Sequence, residues 1–233
     1  MHINIGMRKK FQSALPPDFI NRDAWSFTQL NSDNFRGPEL DTVDWNNSIV
    51  AFGCSFCFGT GLKDNEVYTY LIQEILGIPV INMGSPATSM TFALLNQLTL
   101  HELGYKPKAI INLWTSPARQ TYFVRGRQRN LGPWLNENPV EGLMEKLKHT
   151  YNNWNRHKSN TANHAFINQR IAEALWRDTI HLQYTSFKDN EFSDSIPYLE
   201  TIDNSPLGHH PGPETHIEWA NLISKELINS NIS

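Results

Sequence analysis

Apolar residues fall in two kinds of block along the 233-residue chain. The first kind is short and unbroken: IVAFG at 49–53, PVINMG at 79–84 and KAIINLW at 108–114, each stopping in small or polar residues. Runs of this length that are apolar on consecutive positions are the pattern of strands buried on both faces of a parallel sheet. The second kind recurs every three or four residues. Val67, Leu71 and Ile75 follow a candidate N-cap at Asp64 and stop at Gly77; Met90, Leu94 and Leu98 follow Ser89 and close at Gly104. Ile167, Ile171, Ala174 and Leu175, and then Ile217, Ala220, Ile223 and Leu227 behind Pro213, repeat the spacing. These predict helices with one inward face. With a further helix at 141–151 and a last strand at 179–184, strand and helix alternate as in right-handed βαβ crossovers.

The expected fold class is therefore α/β, a flavodoxin-like three-layer α/β/α sandwich around a mainly parallel sheet. Residues 1–47, rich in Asn, Asp and Pro, read as an arm laid on one domain that spans 48–233. Residues 119–139 read as a long loop over the sheet edge with Trp134 beneath it, and 188–210 as a polar loop. There is no internal repeat.

Composition narrows the function classes. Hydrophobic residues at 39% and charged residues at 18% suit a packed core. A net charge of −3 gives no reason to expect nucleic acid, and the short basic cluster at 125–129 reads as a solvated loop. No apolar stretch follows Arg8, Lys9 and Lys10, and none reaches the roughly 18 residues a membrane span needs. The expectation is a cytoplasmic protein with no membrane partner, or one carried within a larger assembly such as a viral particle. The only cysteines, Cys54 and Cys57, form a C-x-x-C that reads either as a redox pair or as two small buried apolar side chains.

In an open parallel sheet, ligands bind beyond the carboxyl ends of the strands. Those ends carry Gly53-Cys54-Ser55, Asn82-Met83-Gly84 and Thr115-Ser116, and the loop before the last helix adds Asp203, His209, His210 and His216. A serine, a histidine and a carboxylate supply acyl transfer: the imidazole takes the hydroxyl proton and the acid orients the ring. A glycine such as Gly84 lets backbone approach a substrate and offer its N–H to an oxyanion. A serine after a strand is equally a turn or cap hydroxyl, and His216 reads as a structural hydrogen-bonding residue. His209, His210, Glu214 and His216 have metal-ligand types, but no H-E-x-x-H spacing is present, so neither metal nor cofactor is expected.

The order of these pieces resembles the SGNH/GDSL hydrolase family. SIVAFGCSFCFGTGL at 48–62 resembles its first block, VINMGS at 80–85 its second, and HHPGP at 209–213 with His216 its last; NFRGPEL at 34–40 resembles a short motif preceding the first strand in some members. The resemblance implies Ser55 as nucleophile, His210 as base, and the N–H groups of Ser55 and Gly84 as oxyanion donors. The chain departs from the pattern at three places. Cys54 replaces the acid before the nucleophile. Ser116, or Thr115, stands where the family's third block has an oxyanion Asn. Leu207 holds the position of the usual acid, leaving Asp203 as the candidate, or a backbone carbonyl in its stead. Trp114, Thr115, Arg119 and His209 are expected to line the substrate cleft, with Arg119 able to hold an anion. The implied activity is a serine esterase acting on a small acyl ester, an acetyl group on a carbohydrate among them. The alternatives are an O-acyltransferase with the same residues and a binding or structural module on the same fold.

Overall fold

The computed structural model describes residues 11, 28, 30–124, 127–136, 141–188 and 196–232. Its centre is a four-stranded, all-parallel sheet in the order β2 (Val80–Gly84), β1 (Ile49–Gly53), β3 (Ala109–Trp114), β6 (Ile180–Thr185). Every residue of β1, β2 and β3 is buried, as the unbroken apolar runs require. Successive residues serve opposite layers. Ile49 and Ala51 join a core with α2 (Tyr68–Leu76) and α6 (Pro213–Asn229), while Val50 and Phe52 join one with α3 (Met90–Glu102) and α5 (Lys158–Leu175). This is the expected three-layer arrangement. No helix among the described residues is long and apolar enough to cross a membrane.

Phe35, Leu40 and Trp45, from the segment before β1, are buried in the α3–α5 core. Arg36 between them is 5% exposed; its Nε lies 3.2 Å from Asp64, its Nη2 donates to the Leu62 carbonyl and to Thr28, and its guanidinium covers the Phe58 ring. Burial lowers its pKa to about 10, with Asp64 and Glu66 opposing. The FRG segment thus braces the chain just downstream of Ser55.

Four expectations are corrected. Asp64 opens a short 3-10 turn rather than capping α2, and α2 turns Tyr68 and Ile72 inward while Ile75 is exposed. Helix α5 buries Thr161, Ala165, Asn168, Gln169 and Ala172, its alanines joining the apolar core of Val50 and Phe52, and exposes Ile167 and Ile171. Ile217 of α6 faces out, while Ala220, Ile223 and Leu227 face in as expected. Finally, residues 119–139 are not a plain loop. They contain an antiparallel hairpin, β4 (Gln120–Val124) and β5 (Arg127–Leu131), followed by a short 3-10 turn and then α4 (Leu143–Asn155). The β-prone QTYFV segment explains the pairing. Arg125 and Gly126, at its tip, lie outside the described residues.

Candidate active site

Strand β1 ends at Gly53, and Ser55 begins the one-turn helix α1 (Ser55–Phe58). Two glycines make this abrupt turn fit. A Cβ on Gly53 would lie 2.6 Å from both Cys57 Cβ and the Leu113 carbonyl oxygen; one on Gly84 would lie 2.4 Å from the Phe58 nitrogen. The ends of β1 and β2 therefore press directly on α1. Asn82 fastens the contact: its Nδ2 donates to the Cys57 carbonyl (2.8 Å) and to Thr69 Oγ1 (3.1 Å), and its Oδ1 accepts from the Gly84 N–H (2.9 Å). Gly59, left-handed at φ 76°, ends the turn.

Ser55 is 5% exposed, and its hydroxyl lies 3.9 Å from Cys54 Sγ. Its N–H stands in the first turn of α1, where no carbonyl four residues back can accept from it. Both cysteines are free and buried. Burial pushes the Cys57 thiol up to about 12, against the hydrogen bond with the Tyr68 hydroxyl at 3.1 Å. Burial of both side chains matches the reading of Cys54 and Cys57 as small apolar packing groups.

His210 reaches the same place from the other end of the chain. Its ring meets the Phe56 ring edge-on at 5.6 Å, so the candidate base stands beside the helix that carries Ser55. Its Nδ1 is 3.2 Å from the Gly208 carbonyl oxygen. A carbonyl only accepts, so Nδ1 carries the proton and Nε2 keeps its lone pair. Burial holds the imidazole below its ordinary pKa, with the Gly208 carbonyl opposing and Arg119 and His209 adding to the depression. His209 is exposed and left-handed at φ 53°. That backbone turn puts two successive histidines in different surroundings.

The structure does not bring Asp203 to His210. Its carboxylate accepts from the Thr215 N–H (2.8 Å), the Thr215 hydroxyl (2.6 Å) and the Glu214 N–H (3.1 Å), satisfying the first turn of α6. Partial burial acts to raise its pKa, but these hydrogen bonds outweigh it and hold the carboxyl below its usual range. A Cβ on Gly212 would lie 2.2 Å from Asp203 Oδ2, so the glycine before Pro213 is what lets the carboxylate in. Of the two groups sequence left open for orienting His210, the backbone carbonyl is the one in place.

The third strand end is mixed. Trp114 is 1% exposed and donates through Nε1 to Gln183 (2.8 Å), so it belongs to the core rather than to the cleft wall. Thr115 is likewise buried. Ser116 is half-buried; its Oγ accepts from the Ala118 N–H at 3.4 Å, which leaves its own proton to donate elsewhere. Gly84 does not present a free N–H, since that group is spent on Asn82. The guanidinium of Arg119 lies between the rings of Trp134 (5.3 Å) and Phe187 (5.2 Å), and Phe187 stacks on Phe56 at 4.9 Å. Phe56, which follows Ser55 in the chain, thus touches His210 directly and Arg119 through Phe187.

Several supporting residues carry no motif. His164 of α5 bonds the Pro117 carbonyl through Nδ1 (2.9 Å) and the Thr91 hydroxyl through Nε2 (2.7 Å), holding the turn after Ser116. His216 Nδ1 accepts from the Tyr68 N–H at 3.0 Å, capping α2 from α6. Ala87 is exposed and left-handed at φ 58° on the loop after β2, a conformation an alanine seldom takes. A polar residue among apolar neighbours was the available signal for Asn82; His216 has the structural hydrogen-bonding role expected of it, while His164 gives no local signal, because its partners are distant in sequence.

No family model matches the chain, and no curated protein matches it in sequence. Among solved structures it is similar to a GDSL-family lipolytic protein of Desulfitobacterium hafniense DCB-2, at 15% identity over 77% of this chain and 99% of that one, with a TM-score of 0.41. It is also similar to the acetyl xylan esterase Est2A of the rumen bacterium Butyrivibrio proteoclasticus (11% identity, 81% of this chain and 65% of that one, TM-score 0.45). A family two carbohydrate esterase from Clostridium thermocellum gives 9% identity, 81% and 66% coverage and a TM-score of 0.46. The chain spans about two thirds of the length of those two carbohydrate esterases. At these scores the overlaps assign no residue and no activity to this chain.

Proposed function

We propose that the protein is a serine esterase that cleaves a small acyl ester, an acetyl group on a carbohydrate hydroxyl, through an acyl-Ser55 intermediate. The observation that carries this reading is the packing of the His210 ring on Phe56, the residue that follows Ser55 in the one-turn helix α1. A serine residue only 5% exposed suits a small acyl group better than a long chain.

In this mechanism Ser55 Oγ attacks the ester carbonyl while His210 Nε2 takes its proton. The Gly208 carbonyl holds the imidazole ring and stabilises the imidazolium as charge develops. The Ser55 N–H and the Ser116 hydroxyl donate to the oxyanion. The imidazolium then protonates the departing alcohol, and a water activated by His210 hydrolyses the acyl-serine. A sugar hydroxyl in place of that water would make the same residues an acyltransferase; products formed with added sugar distinguish the two.

A second reading, a binding or structural module on the same fold, draws on the commitment of Gly84 to Asn82 and of Asp203 to α6. The test is hydrolysis of 4-nitrophenyl acetate by wild type, Ser55→Ala and His210→Ala proteins. Turnover lost in both variants, with folding intact, supports the esterase. No wild-type turnover above that of Ser55→Ala overturns it in favour of the module.

A further inference from the structure

We infer that the site selects esters of a carboxylate-bearing alcohol, with Arg119 as the residue that reads the carboxylate. The inference rests on the esterase reading and specifies its substrate class. Arg119 Nη1 is buried and has no hydrogen-bond partner, and no carboxylate among the described residues pairs with this side chain. The aromatic faces of Trp134 and Phe187 attract the cation, yet they supply no acceptor for its N–H groups. A guanidinium that gives up water without an oxygen partner is costly to keep, and a planar fork of N–H donors matches a carboxylate better than any neutral group.

Its surroundings place that charge at the chemistry. Arg119 is among the groups depressing the pKa of His210, and Phe187 links it by stacking to Phe56, next to Ser55. The Arg119 N–H donates to the Ser116 carbonyl at 3.0 Å, so the arginine is fixed to the turn that carries the candidate oxyanion hydroxyl. Two more donors, at the ends of β3 and β6, have no partner. Trp114 pairs with Thr185 at the ends of β3 and β6, which sets Thr115 and Ser186 side by side just beyond the sheet, and the hydroxyls of both are buried and unbonded. A neutral acyl ester offers the Arg119 fork only uncharged oxygens, which a guanidinium binds less strongly than a carboxylate. An ester whose alcohol carries a carboxylate, as in an acidic sugar, brings oxygen atoms to the Arg119 fork.

The test uses two esters of matched shape, 4-acetoxybenzoate and 4-acetoxybenzamide, with the full chain. Wild type is expected to prefer the carboxylate by about 10- to 100-fold in kcat/KM, the size of one charge-assisted contact, and the preference is expected to shrink as salt is raised. Arg119→Met keeps an apolar stem against Trp134 and Phe187 but removes the charge; its carboxylate-to-amide ratio is expected to fall to near one. A purely structural role for Arg119 would lower both rates together and leave the ratio. If both esters turn over with a wild-type ratio near one, or if Arg119→Met retains the preference, the inference is overturned while the esterase reading stands. If neither ester turns over above Ser55→Ala, that reading has failed, and calorimetric titration of Ser55→Ala with 4-hydroxybenzoate against 4-hydroxybenzamide decides the anion selectivity alone: tighter benzoate binding, lost in Arg119→Met, supports it, and equal binding overturns it.

Discussion

The seat of Ser55 and the loop of His210 are held by different physics. Around Ser55 the fixing contacts are buried and backbone-deep: Gly53 and Gly84 admit α1 within contact distances no side chain would permit, and Asn82 ties the Cys57 carbonyl to the end of β2. His210 stands on a half-exposed loop secured by small polar devices, namely one carbonyl under Nδ1 and a ladder of bonds from Asp203 to the start of α6. The nucleophile is positioned by the core, whereas the base is positioned by a cap. Damage to the first region should therefore appear as lost stability, and damage to the second as a modest loss of stability with its catalytic cost concentrated in His210 itself.

The sharpest way to break this contrast is His210→Ala. Its kcat on a small ester should fall by about 10⁴-fold or more, and adding Ser55→Ala should cost little further, because the two residues act as a unit. Both single variants should keep the wild-type thermal midpoint within a few degrees, read by circular dichroism. Additive losses would show that the two residues serve separate steps.

Next in size is Asn82→Ala, which strips partners from the buried Cys57 carbonyl and Gly84 N–H. Two orphaned groups cost on the order of 3 kcal/mol, a midpoint drop of roughly 10 °C for a chain of this length. An unchanged midpoint would mean that the Ser55 seat does not depend on its buried bonds.

Asp203→Ala sharpens the other half of the comparison. Loss of a helix-start carboxylate should lower the midpoint by about 4 °C, with kcat falling less than tenfold. A fall approaching 10⁴-fold with an unchanged midpoint would restore Asp203 to the role of triad acid.

The remaining effects are in pH. His216 is buried, and burial together with Arg36 lowers its pKa to about 3, with Asp203 opposing. The unfolded chain binds this proton near pH 6.5 and the folded one does not, so stability is full above about 6.5 and declines as pH falls toward 3. Denaturant titrations of wild type and His216→Gln should converge as the pH drops through that window. His210 shows the same direction in activity: its depressed pKa sets the acid limb of kcat/KM below 6.5, and Arg119→Met should move that limb upward.

The sheet was legible because strands buried on both faces write themselves as apolar runs, and Ser55 was legible because such a run ends in Gly-Cys-Ser. Helix α5 misled for a physical reason: its inward face is built of alanines and polar side chains, Thr161, Ala165, Asn168, Gln169 and Ala172, so its isoleucines face outward. Asp203 misled because a carboxylate near a histidine in sequence also lies near a helix start, and three donors there outcompete one imidazole. The core position of Trp114 is not legible, because a strand end cannot reveal that its indole has Gln183 as a buried partner. His216 has the expected structural role, but its partner at the start of α2 and the bonds of His164 to the turn after β3 lie tens of positions away and leave no local trace.

The claim that Ser55 is an activated nucleophile is tested most directly by a fluorophosphonate probe on the folded protein, followed by peptide mass analysis. The account predicts one adduct, on Ser55, that is lost on denaturation and strongly slowed in His210→Ala. Labelling that avoids Ser55, or that proceeds equally without His210, would contradict it.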